Sequence, residues 1–308
     1  MSLSRVLVLF AALLFSQSGA LASEAPLDAP YRHLVHPRID RSGRDSLNPL
    51  PTKSDTLAVI ANQSAIKNQA ARGSCSIFSA IALLESSLIL EGKAAREIDL
   101  SEEWLQYLIA QGTTDEGSSS PANFDALHEY GAPSENKMPY IGASWKNLSD
   151  GEAQTRCGAL EGVLLKKCLV GHRDPRLLSM SEAELSSSSG DAGFLEARRE
   201  ASQNKKRFFS PKGSEESGIV FGTREVKELL QRGIPLALDI DFYYGAWNHR
   251  LATDMGINRD TNNWAKGVVS YPEKGSMDLA HSNEHSAGHS VVVVGYDDER
   301  EIEYQVKM

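Results

Sequence analysis

The chain has 308 residues, 41 acidic against 32 basic side chains for a formal charge of −9, and 41% hydrophobic residues. That acidic balance argues against a polyanion, whether nucleic acid or an anionic membrane surface, as the main partner. The length is ample for one two-lobed domain or two small ones.

Residues 1–22 carry Arg5, the apolar run VLVLFAALLF and then SQSGALA. This pattern predicts a secretory signal cut near Ala22, because ten apolar residues are too few to span a bilayer. No later stretch is long and apolar enough to do so, and the mature chain is expected to be soluble and secreted or periplasmic. Residues 23–56 mix prolines with scattered charges and show neither helical nor alternating periodicity, which reads as an extended leader.

Order begins at Leu57. Ile77, Phe78, Ile81, Leu84 and Leu88 recur at three- and four-residue intervals, predicting a helix that buries one stripe and is capped by Ser74 or Gly73. Cys75 then lies at the positive end of that helix, where the dipole and unpaired N–H groups favour thiolate over thiol. Taken alone, such a cysteine reads as a small buried hydrophobe. A second helix is predicted in LSEEWLQYLIAQG, with Ser101 capping, Glu102 and Glu103 in the first turn and Gly112 ending it. A third is predicted in PANFDALHEYGA, where Pro121 suits the first turn and Gly131 the exit.

Residues 145–217 differ in character, holding SSSSGD, the basic run ARREASQNKKR and the two remaining cysteines. The basic run reads as a solvated face. Three cysteines in an exported chain predict one pair and one left over. Cys157 and Cys168 are close and share this polar stretch, so they are the expected disulfide, worth about 3 kcal/mol by loop closure. Cys75 stays free. At Thr223 order resumes with TREVKELLQRGIP, a helix capped by Thr223 and closed by Gly233, followed by the strand LALDIDFYY. HSVVVVGYDDE is a strand apolar enough to be buried, with EIEYQVKM as an antiparallel partner.

The string QAARGSCSIFSAIALLES resembles the nucleophile segment of papain-like cysteine peptidases, in which a glutamine, a Gly-Ser-Cys turn and a long central helix follow one another. The Leu-Ser-Glu helix start, the Gly117-Ser118 turn, the helix ending in Tyr-Gly and Met138-Pro139-Tyr140 continue the likeness, and GHSVVVVGY is similar to the family's histidine motif. Two departures are visible. Arg72 stands where the family has a disulfide-bonded cysteine, and Ser76 where it has a tryptophan.

This resemblance implies an α+β, two-lobed papain-like fold. Residues 57–144 would form the helical lobe, 145–217 an insertion and 218–308 the β-rich lobe. The insertion accounts for the 214 residues between Cys75 and His289, against the roughly 130–150 usual for such enzymes. By the same resemblance Cys75 is the nucleophile and His289 its general base in a thiolate–imidazolium pair. The Gln69 amide and the Cys75 backbone N–H would stabilise the oxyanion, and Gly117 and Ser118 would let substrate backbone approach. The implied substrate is a peptide or protein, with no cofactor and no metal.

Two features compete with that reading. His281, His285 and His289 have the spacing of a zinc-binding helix face, but Ser282, Asn283, Ser286 and Gly288 are poor helix formers, so a loop without metal is expected. No asparagine follows His289, whereas the family orients its histidine with one from an Asn-Ser-Trp-Gly motif. The chain therefore reads as C-terminally truncated, with an incomplete β lobe. The alternative is a catalytically inactive homologue that binds peptides or a protein partner, for which Ser76, Arg72 and the missing asparagine speak.

Overall fold

The computed structural model of the protein describes residues 49–187, 192–208, 222–259 and 261–301. The expected signal sequence, most of the leader and the expected strand EIEYQVKM beyond Glu301 lie outside the described residues. Those described form two compact units, residues 63–208 and residues 49–62 with 222–301. A short helix, α1 (Thr56–Ile60), closes the first segment of the latter, with Asp55 accepting from the Ala58 N–H at 3.0 Å as its cap.

The first unit is built around α2 (Cys75–Leu90). Ile77, Ala80, Ile81 and Leu84 are fully buried, but so are Ser76, Glu85 and Ser86. This helix is therefore sheathed on most of its circumference, where the sequence pattern indicated one stripe. It packs on α3 (Glu102–Ile109) and α4 (Ser120–Tyr130). The Ser101 hydroxyl accepts from the Trp104 N–H at 3.0 Å, satisfying one orphan donor of α3. Pro121 sits in the first turn of α4, and Gly131 ends it at φ 71°, a left-handed value that glycine adopts without strain.

Residues 145–208 complete this unit. Helices α5 (Gly151–Cys157) and α6 (Gly162–Gly171) are joined by the Cys157–Cys168 disulfide and share a small core with Trp145 and Leu160. Beyond them α7 (Glu182–Ser187) and α8 (Ala192–Ala201) place Leu185, Phe194, Leu195 and Ala197 in the same core as α2, α3 and α4. The Phe194 ring lies 5.4 Å from Trp104 and 5.2 Å from Tyr107. Burying one such aromatic ring contributes on the order of 1.5–3 kcal/mol, so a stretch that reads as polar in sequence supplies part of the main core. Its basic run is bound to its own unit: Arg198 donates to the Met180 carbonyl at 2.6 Å, and Arg199 and Lys206 pair with Glu182 and Glu91.

In the second unit α9 (Thr223–Gln231) leads into β1 (Leu236–Asp241). Gly222 is its N-cap and Thr223 its first helical residue, so Thr223 is not the cap that the sequence indicates. Two short helices, α10 (Leu251–Asp254) and α11 (Thr261–Ala265), precede α12 (Met277–Glu284) and β2 (Gly288–Val293). β1 and β2 pair antiparallel, with Ile240 opposite His289. Leu230, Val293 and Tyr296 form the core beneath them. The chain segment before α1 runs alongside the end of β2: Ser54 N–H donates to the Tyr296 carbonyl at 3.0 Å and Tyr296 hydroxyl to the Pro51 carbonyl at 2.7 Å.

The loop expected around His281 is corrected by α12. Ser276 caps it by accepting from the Leu279 N–H at 3.2 Å, and Asp278 occupies its first turn. These contacts outweigh the weak propensities of Ser282 and Asn283. The helix stops at Glu284, so the three histidines do not share one helical face: His281 is on α12, His285 is its C-cap and His289 is in β2. Among the described residues no cluster of His, Cys, Asp or Glu has the arrangement of a metal site.

Candidate active site

Cys75 is the first residue of α2 and 2% exposed; among the described residues it is the cysteine outside a disulfide. Ser74 is the N-cap residue, but its hydroxyl pairs with the Tyr140 hydroxyl at 2.7 Å instead of capping the helix. Tyr140 in turn donates to the Gln69 carbonyl at 2.9 Å, and its ring meets Phe78 edge-on at 4.9 Å. The Gln69 side-chain amide donates to the Arg72 carbonyl at 2.9 Å, closing a tight turn from Gln69 to Arg72. Ala71 N–H donates to the Gly142 carbonyl at 3.1 Å and Ala70 adopts φ 52°, both fixing the path of that turn.

Beneath the turn Arg72 is fully buried. Its guanidinium donates to Glu116 at 2.9 Å, to Glu103 at 2.9 Å, and to the carbonyls of Ile141 at 3.1 Å and Val170 at 2.8 Å. His172 Nδ1 lies 2.8 Å from the other Glu103 oxygen. Burial opposes ionisation of Glu103, but the His172 contact and the Arg72 charge outweigh it and hold the carboxyl below its usual range. Burial lowers the His172 pKa despite the pull of Glu103, so a neutral imidazole completes the cluster. Glu116 also accepts from the Gly73 N–H at 3.2 Å and the Ser144 hydroxyl at 2.7 Å.

A second polar cluster surrounds Lys67, which contacts Glu85 at 2.9 Å, Asp99 at 2.7 Å and Glu102 at 2.9 Å. One cation among three acids leaves charge uncompensated. Burial pushes the Glu102 carboxyl up to about 8 against the pull of Lys67, making it the protonated member near neutrality.

Gly117 takes φ 99°, which a side chain would strain. The Ser118 hydroxyl lies 2.8 Å from that of Ser76, the residue after Cys75, and donates to Asn123 Oδ1 at 2.8 Å. Gly117 and Ser118 border a cavity of about 430 Å³ whose other walls include Leu108, Ala126, Tyr130 and Leu178.

His289, in the second unit, stands second in β2 and packs against the edges of Trp247 at 4.9 Å and Phe242 at 5.7 Å. Burial, with His249 as a lesser cause, pushes its imidazole down to about 4. The ring is therefore neutral near pH 7 unless an anion is beside it. Trp247 is held in its turn by Asp278, which accepts from the Gly245 N–H at 3.0 Å and the Ala246 N–H at 2.9 Å. Ser282 links the same carboxylate to the backbone of Tyr244.

Gln69, Cys75, Gly117 and Ser118 thus belong to one unit and His289 to the other. The residues that sequence reasoning missed are the braces: Glu103, Glu116 and His172 around Arg72, and Phe242 and Trp247 around His289. An arginine in so apolar a setting signals a buried acid partner, and Glu103 in a helix of apolar neighbours was its visible counterpart.

The family model for papain family cysteine proteases matches residues 50–181. No curated protein matches the sequence. Among solved structures, xylellain, a cysteine protease from Xylella fastidiosa, aligns over 90% of this chain and 81% of its own with 16% identity and a TM-score of 0.53. A mite allergen structure concerned with Blo t 1 and Der p 1 aligns over 32% of this chain and 34% of its own with 22% identity; its TM-score of 0.28 is below the level of a shared fold. The chain thus has the papain-like fold, and its residues 50–181 match the papain cysteine protease family.

Proposed function

We propose that the protein is an exported peptidase in which Cys75 and His289 act as a pair on peptide bonds. The observation that carries this reading is the arrangement at the start of α2: a cysteine on the first helical residue, with a glutamine side chain tied into the preceding turn. His289 in its neutral form takes the thiol proton as sulfur attacks the peptide carbonyl carbon, and the resulting imidazolium is stabilised by the negative charge that develops beside it. Collapse of the tetrahedral intermediate breaks the C–N bond, and the imidazolium gives its proton to the departing amine. Water, deprotonated by the same imidazole, then hydrolyses the thioester. The Gln69 amide and the Cys75 N–H donate to the oxyanion, each such donor being worth about 3 kcal/mol. Gly117 and Ser118 supply a low rim along which extended substrate backbone approaches.

Export rests on the sequence of residues 1–22 alone. Among the described residues no helix is long and apolar enough to cross a membrane.

Hydrolysis of a fluorogenic peptide amide tests the pairing. Cys75→Ala is expected to abolish turnover and His289→Ala to lower kcat at least a thousandfold, each in protein that circular dichroism shows to be folded. Wild-type turnover that survives Cys75→Ala would sink the assignment. Tight peptide binding with no turnover, equal in wild type and variant, would instead favour a binding protein.

A further inference from the structure

We infer that Arg72 and Glu116 are positioning residues for the oxyanion donor, clamping the turn that carries Gln69. This rests on the reading of Gln69 as that donor. The Gln69 amide donates to the carbonyl of Arg72 itself, so wherever Arg72 goes, the amide follows. Arg72 has little freedom to move. Its guanidinium spends its N–H groups on two carboxylates and two backbone carbonyls contributed by four different segments: Glu103 on α3, Glu116 in the turn before α4, Ile141, and Val170 on α6. Planar fork geometry of this kind is specific to arginine, and lysine cannot reproduce it.

Glu116 extends the clamp toward the nucleophile. One oxygen takes the Arg72 Nε–H, while the other takes the N–H of Gly73, two residues before Cys75, and the Ser144 hydroxyl. The 69–73 segment is thereby tied at both ends, by Tyr140 at the Gln69 carbonyl and by Glu116 at the Gly73 N–H. The bonds of Arg72 and Glu116 reach the turn and the segments beneath it, while Cys75 is the first residue of α2. Loosening the clamp therefore misplaces the amide of residue 69 while leaving the thiol in its helix, a displacement of the kind that costs catalysis without costing binding.

Arg72→Lys and Glu116→Gln separate this role from a merely structural one, through peptide amide turnover and iodoacetamide alkylation of Cys75 in the same preparations. Alkylation displaces iodide at a methylene carbon and develops no oxyanion, so it reports the thiol and not the hole. The expected result is a kcat lowered about tenfold or more in each variant, with KM and the alkylation rate within twofold of wild type. A kcat within twofold of wild type in both folded variants would overturn the proposal, and so would parallel losses of kcat and alkylation. If wild type alkylates but turns over no peptide, the peptidase reading fails separately, and amide exchange of residues 69–75 decides the clamp. At least tenfold faster exchange in Glu116→Gln at unchanged thermal midpoint upholds the clamp, and unchanged exchange refutes it.

Discussion

The surroundings of Cys75 and of His289 use opposite physics. The cysteine turn is held by charge and hydrogen bonds: Arg72 anchored to Glu103 and Glu116, Tyr140 anchored to Ser74 and Gln69. The histidine is held by apolar packing, wedged against Trp247 and Phe242 on a two-stranded ribbon. A hydrogen-bonded turn fixes donors to fractions of an ångström, which an oxyanion hole requires. An aromatic wedge instead controls the cost of charging the ring, which sets when a general base is free to accept a proton.

That contrast is broken most severely at Arg72. Replacing it with methionine keeps the volume but leaves Glu103, itself fully enclosed, without its counter-charge. Removing one partner of a buried ion pair typically costs about 3–5 kcal/mol. Chemical denaturation of Arg72→Met is expected to show a loss of that order, and a loss below about 1 kcal/mol would mean the cluster is better hydrated than its burial indicates.

The histidine side is probed by pH. In the folded chain His289 titrates near 4, against 6.5 in an ordinary setting. The unfolded chain therefore binds more protons between these values, and stability falls as pH drops from about 6.5 toward 4, then levels off for this group below 4. The full effect is about 3 kcal/mol at roughly 1.4 kcal/mol per pKa unit. His172, also depressed by burial, contributes with the same sign, so the measurement is the difference between wild type and His289→Gln across that window. Equal acid sensitivity in the two proteins would show that the Trp247 wedge does not desolvate the ring.

The Cys75 side was the more legible in sequence. Helix periodicity, the Ser101 cap and the Gly131 exit are local signals, and α2, α3 and α4 follow them. Where sequence reasoning fell short, contacts distant along the chain decide the structure. Phe194 and Leu195 sit among serines and charges, yet they fill the core against Trp104 because α8 returns to α3. α12 forms despite Ser282 and Asn283, since Asp278 and Ser282 bond to the 244–246 turn. The Arg72 clamp draws on positions 103, 116, 141 and 170, a convergence that no spacing rule along the chain reveals.

The central claim is that Cys75 is a nucleophile whose reactivity depends on His289. Its most direct test is modification by an epoxysuccinyl peptide, followed by mass spectrometry of the labelled peptide, with Cys157 and Cys168 closed off in their disulfide. The account predicts one equivalent of adduct on Cys75, formed at least a hundredfold more slowly in His289→Ala. No adduct on folded protein, or the same rate in wild type and variant, would contradict it.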